Sequence, residues 1–167
     1  MRVKTLNYEG LREHIRTWDQ SALNPNPDDF TQNGDGSYSL RRERSVEMNE
    51  IQPTANAFRG QLYILTSDQN SSGSTNISSV LQSEGRATLI GEQTGGSPEG
   101  TTAGVLFTLE LPESKIRTRI PVFRYTNNVK SFERGMGLKP DILVPRTVES
   151  FLAGTDPALE RAIAQFA

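Results

Sequence analysis

Gln61-Leu62-Tyr63-Ile64-Leu65-Thr66-Ser67-Asp68-Gln69-Asn70-Ser71-Ser72-Gly73-Ser74-Thr75 is the stretch on which the architecture turns. Residues 61–66 form a β-branched and aromatic run between Arg59-Gly60 and the polar Ser67–Asn70, which predicts a buried strand. Ile77, Val80 and Leu81 then mark a helix of about three turns ending near Gly85, a natural C′ residue. Ala87-Thr88-Leu89-Ile90-Gly91 reads as the next strand. Strand, helix and strand with short joints imply a parallel pair.

Working outward, a glycine-rich stretch runs from Gly91 to Gly104, and strands follow at Val105–Glu110 and Ile116–Phe123. Ile142-Leu143-Val144 is a last short strand. Asp156-Pro157 starts a terminal helix with Leu159, Ile163 and Phe166 as its apolar stripe. Upstream, Leu11, Ile15 and Trp18 fall at helical spacing and predict a helix over roughly Tyr8 to Gln20. Asn33-Gly34-Asp35-Gly36 is a turn signal, and the weakly alternating residues from Ser37 to Met48 suggest an edge hairpin. The expected organisation is one α/β unit, residues 58–167, with residues 1–57 as a polar N-terminal extension packing on it.

Composition excludes several functions. The chain has 167 residues, 18 basic and 20 acidic, for a net charge of −2. No basic stripe stands out, so nucleic acid is not an expected partner. Cysteine is absent and histidine occurs once, as His14, leaving no disulfide, thiolate or zinc chemistry. No apolar run approaches the ~20 residues that cross a bilayer, and the start has no apolar signal-peptide core. Gly91–Gly104 lacks the Gly-Lys-Ser/Thr ending of a phosphate loop. Thr31–Gly36 lacks the glutamate of a calcium loop, since Arg42 stands there. No cofactor is required.

Asn70-Ser71-Ser72-Gly73-Ser74-Thr75 sits between a strand end and a helix start. There the free amides of the first helical turn point outward and carry the positive end of the helix dipole. A serine at such a turn is exposed for attack, and the amide after it can donate to an oxyanion. Gly73 would let that amide approach a carbonyl closely. The competing reading is that the serine caps the helix.

Four landmarks between Phe58 and Val144 carry a resemblance. They are Phe58–Thr66, then Ser72-Gly73-Ser74-Thr75, then Gly85-Arg86-Ala87…Gly91-Glu92-Gln93-Thr94-Gly95-Gly96, then Gly135-Met136-Gly137-Leu138-Lys139-Pro140-Asp141-Ile142. Together they resemble the tail-specific (C-terminal processing) serine peptidase family, whose catalytic domain has a crotonase-like (Clp protease-like) α/β fold of ββα type. The resemblance implies that the chain is the C-terminal part of that domain and that Ser72 is the nucleophile. It also implies a peptide or protein-tail substrate, an exported (periplasmic or secreted) setting and a possible homo-oligomer.

Two departures qualify the match. Thr75 stands at the family's glutamate position. Ser97 stands where the lysine-using branch has its general base, and a hydroxyl does not take a proton from another hydroxyl near neutral pH. The tricorn-like branch uses instead a histidine from well upstream and a glutamate just before the closing glycines. Glu133 is one residue from that place, and Arg134 occupies it. The base is therefore expected outside this chain, and His14, on a helix face, is read as a packing or surface residue. Glu92 and Asp141 are read as structural. The alternative is a non-catalytic peptide-binding or pseudo-peptidase module with the same fold. An acyl-thioester enzyme of that fold fits the landmarks less well.

Overall fold

The computed structural model describes residues 1–166. Its strands are β1 (Arg2–Val3), β2 (Ile15–Arg16), β3 (Phe30–Gln32), β4 (Tyr38–Leu40), β5 (Tyr63–Thr66), β6 (Thr88–Gly91), β7 (Thr102–Glu110), β8 (Arg117–Arg124) and β9 (Ile142–Leu143). Its α-helices are α1 (Gly73–Ser83), α2 (Val148–Ala153) and α3 (Pro157–Ile163). The result is mixed α/β, in two compact units: Met1–Asn56 with Thr102–Tyr125, and Ala57–Thr101 with Thr126 onward. Residues 102–125, read from sequence as part of the 58–167 block, fall in the first unit. The reason is pairing: β7 takes β2 on its outer edge and β8 takes β1.

The first unit is an antiparallel sheet in the order β2-β7-β8-β1-β4-β3. Asn33 to Gly36 makes the β3–β4 turn, the Asn33 amide donating to the Ser37 carbonyl at 2.8 Å. The hairpin expected within residues 37–48 therefore lies earlier, at 30–40, and Arg42–Arg44 and Val46–Met48 are 3₁₀ turns. The helix expected over Tyr8–Gln20 does not form. Glu9–His14 is a 3₁₀ segment, and the chain then enters β2, where Ile15 pairs with Leu109. Thr17 and Asp19 side chains accept from the amides of Asp19 and Ser21, offering the backbone local bonds in place of helical ones. The apolar stripe breaks up accordingly: Ile15 joins Leu23 and Phe107 in the core, while Trp18 is 78% exposed.

The second unit holds a parallel sheet in the order β5-β6-β9, with α1 joining β5 to β6. Central β6 carries the burial, with Leu89 and Ile90 fully inaccessible. Full burial of each such side chain stabilises by roughly 1.5–3 kcal/mol. Ala87 and Leu138 complete the core, against Leu62, Ile64 and Leu81. β5, read as a buried strand, lies at the sheet edge and buries only Thr66. Gly85 (φ 66°) follows α1, as its sequence predicts. Asp156 caps α3 by accepting from the Leu159 amide. Of the expected stripe, Leu159 and Ile163 are exposed, while Phe166, beyond the helix, sets its ring edge-on to Tyr63 at 5.1 Å; the buried residue of α3 is Ala162. Helix α2, not anticipated from sequence, is closed by a capping box of Thr147 and Ser150. Among the described residues no helix is long and apolar enough to cross a membrane.

Candidate active site

The joint between β5 and α1 is a tight turn. The Ser74 amide donates to the Ser71 carbonyl at 3.2 Å, which makes Ser72 and Gly73 the central residues of a β-turn. Ser72 has φ 51° and ψ −123°, the first central position of a type II′ turn, where glycine is the residue of least strain. A serine is held there against its conformational preference, at a cost of about 1–3 kcal/mol. The competing capping role fails on geometry: Ser72 precedes the helix, yet its side chain makes no capping hydrogen bond and is exposed. No hydrogen bond among the described residues uses the Gly73 amide, the first of the helix. A Cβ added at Gly73 would meet no atom within 4 Å. An unengaged hydroxyl thus stands beside an unengaged amide that opens onto free space.

A polar frame fixes this turn. The Asn70 carbonyl accepts from the Gly96 amide at 2.9 Å and from Thr75 Oγ1 at 3.1 Å. The Asn70 side chain accepts from the Ser67 amide at 2.7 Å. Gly96 lies so close that a Cβ there would come within 2.5 Å of Thr75 Oγ1 and 3.0 Å of the Ser71 Cα. Thr94, 4% exposed, locks the loop: its hydroxyl donates to the Gly96 carbonyl at 2.7 Å and accepts from the Leu138 amide at 2.8 Å. The closing glycines are explained by the same contact, because a Cβ at Gly137 would fall 1.7 Å from the Thr94 carbonyl oxygen. Three of the landmarks read from sequence therefore meet in one place. Thr75, in the family's glutamate position, is a 1% exposed strut.

The other singled-out residues sit as follows. Ser97 follows Gly96 and so lies beside the Ser71–Ser72 turn; its hydroxyl accepts from the Glu99 amide at 3.2 Å. Glu133 is on the surface, its carboxylate 2.9 Å from Lys139 Nζ. No hydrogen bond or ion pair among the described residues joins Glu133 to Ser72. His14 ends the 3₁₀ segment of the first unit. Glu92 accepts from the Arg146 amide at 3.1 Å. Asp141 accepts from the Leu89 amide at 2.7 Å and from Gln82 at 2.9 Å, tying β6 to the segment that leads into β9.

The carboxyl ends of the three parallel strands border an open hollow of about 210 Å³ with a mixed lining that includes Leu65, Thr66, Ser67, Glu92, Val144 and Arg146. Ser67 connects it to the serine turn. Sequence reasoning missed Asn70, Thr94 and Asn127 as the residues that build this region. Thr94 was legible within its glycine motif, whereas Asn127, in Thr126-Asn127-Asn128-Val129, carries no local signal. Among the described residues no group of three or more His, Cys, Asp or Glu is placed to hold a metal ion. Residues 19–144, most of the chain, match the sequence model of Peptidase family S41, and the chain therefore belongs to that family of serine-type peptidases.

Proposed function

We propose that the protein is an endopeptidase acting on unstructured protein tails or peptides, with Ser72 as its nucleophile. Ser72 Oγ attacks the scissile carbonyl carbon and its proton passes to a general base. The carbonyl oxygen, now negative, takes a hydrogen bond from the Gly73 amide, which supplies half of an oxyanion hole. Collapse expels the amine with that proton and leaves an acyl-serine, which water then hydrolyses. The reading carries with it the tricorn-like branch and a crotonase-like fold of which this chain is the C-terminal part. The base is a histidine from elsewhere in the polypeptide, and Glu133 orients it after exchanging its Lys139 partner. An exported location and a homo-oligomer belong to the same proposal.

The observation that carries it is the φ of 51° at an exposed Ser72 whose hydroxyl caps nothing. Strain of this kind is retained where the surroundings over-determine it, and such places cluster at reactive sites. A fluorophosphonate probe applied to the full-length protein should label Ser72, and Ser72→Ala should abolish the labelling. Gly73→Ala meets open space, so it should fold normally and label more slowly. The second reading, a peptide-binding module without catalysis, is favoured by Ser97, whose hydroxyl is engaged in its own turn. Absence of labelling in the full-length protein, with retained peptide binding, would decide for it.

A further inference from the structure

We infer that Asn127 is a positioning residue for the serine turn, an assignment that rests on Ser72 being the nucleophile. Its side-chain nitrogen lies 3.0 Å from Asn76 Oδ1, 3.1 Å from the Pro98 carbonyl and 3.3 Å from Ser79 Oγ. The Pro98 carbonyl only accepts, and Ser79 Oγ spends its proton on the Asn76 carbonyl at 2.9 Å. Both neighbours therefore call for a donor, which fixes the amide nitrogen, not the oxygen, toward them. The Asn127 backbone amide adds a bond to the Glu99 carbonyl at 3.2 Å.

The two side-chain N–H groups, shared among three acceptors, and the backbone amide join two pieces distant in sequence, beyond the Gly96–Asn70 contact. One is the second turn of α1, where the Asn76 amide donates to the Ser72 carbonyl at 3.0 Å. The other is the turn at residues 97–100, which follows the Gly96–Asn70 contact and carries Ser97 beside the serine turn. Ser79 is 2% exposed and Pro98 is buried, so the carbonyl and hydroxyl facing Asn127 have little access to water. Losing the amide leaves them unsatisfied. Asn127 acts through Asn76 and Pro98 and touches neither Ser72 nor its substrate. Its effect is to set the distance between the nucleophile's helix and the turn at residues 97–100.

The test is the kinetics of fluorophosphonate labelling in the full-length protein. Asn127→Ala should lower the maximal labelling rate roughly tenfold, the equivalent of about one and a half hydrogen bonds, with the half-saturating probe concentration unchanged. Asn127→Asp supplies a readout that a merely structural residue would not move. Its protonated acid still donates to the Pro98 carbonyl, whereas its ionised form is repelled. The variant's rate relative to wild type should therefore fall as pH rises through the carboxyl's titration. Asn128→Ala, at the exposed neighbour, should label like wild type. The inference is overturned if Asn127→Ala labels at the wild-type rate, or loses labelling only in proportion to its folded fraction by circular dichroism. An unlabelled wild type overturns the nucleophile and with it the role assigned here; a labelled wild type with an indifferent Asn127 overturns the positioning role alone.

Discussion

Replacing Ser72 by glycine should make the protein more stable while removing its reactive hydroxyl. The backbone at this position has φ 51° and ψ −123°, where a Cβ costs about 1–3 kcal/mol. Glycine relieves that cost but loses more chain entropy on folding, about 0.5–1 kcal/mol relative to alanine. The Ser72 hydroxyl makes no capping bond, so its removal forfeits nothing in the folded state. The net gain is about 1 kcal/mol, close to a fivefold change in the folding equilibrium. Alanine keeps the Cβ and the strain, so Ser72→Ala should stay within about 0.5 kcal/mol of wild type, as exposed substitutions do. Both variants should lose labelling, yet only glycine should gain stability. Urea unfolding followed by far-ultraviolet circular dichroism reads the difference. Trp18 fluorescence does not serve, because the only tryptophan lies in the first unit and is 78% exposed. A glycine variant less stable than the alanine variant, the usual order for these two residues, would refute the strained turn and the reasoning built on it.

Thr94→Val should destabilise by about 2–4 kcal/mol, because the isosteric change leaves the Leu138 amide and the Gly96 carbonyl unpaired in a buried place. Thr94→Ser keeps the hydroxyl and should cost about 1 kcal/mol; urea midpoints at equal slope check the order, and a valine variant milder than serine contradicts it. In the first unit, the Ser37 hydroxyl and then the Ser37 amide, with Arg2 beyond them, hold the Asp35 carboxyl down to about 2 from its usual 3.8. A depressed carboxylate contributes stability that is complete above the unfolded value and is lost as pH falls toward the folded one. The stability difference between wild type and Asp35→Asn should therefore be constant near neutrality and shrink between pH 3.8 and about 2; a difference that grows on acidification has the wrong sign.

Legibility in the sequence followed the range of the interactions. The β5–α1–β6 run was readable because its signals are local: an apolar run, a serine-rich joint, helical spacing and a terminating Gly85. Asp141 and Glu92 were read as structural from their places beside strand ends, and in the fold each carboxylate accepts from a backbone amide, of Leu89 and Arg146 respectively. Within the first unit the two long strands and the Asn33–Gly36 turn were readable, but the segment around Ile15 was not, because Ile15 finds Leu109 from far along the chain and its strand pairing overrides the helical spacing of Leu11, Ile15 and Trp18. The apolar stripe of α3 misled, since spacing alone does not say which face meets the sheet. At the site, the strand-to-helix joint was visible, but the left-handed backbone at Ser72 was not: that conformation normally announces itself by glycine, and here the glycine comes one residue later. The polar frame of Asn70, Thr94 and Asn127 was invisible, because the bonds that give those residues purpose come from partners distant in the chain.

Helix α1 is inverted relative to most surface helices: Thr75, Ser78 and Ser79 are turned inward, while Ile77 is 61% exposed. Polar surface released on opening lowers the heat capacity, whereas apolar surface raises it. Detaching this helix exposes a mixed surface, its apolar share coming from Leu81 against the core, and so carries less of the thermal curvature that governs an oily core. The seat of the candidate nucleophile is thus held in part by the Asn127 amide at Asn76 and Ser79, a directional contribution that cooling weakens less than hydrophobic contact.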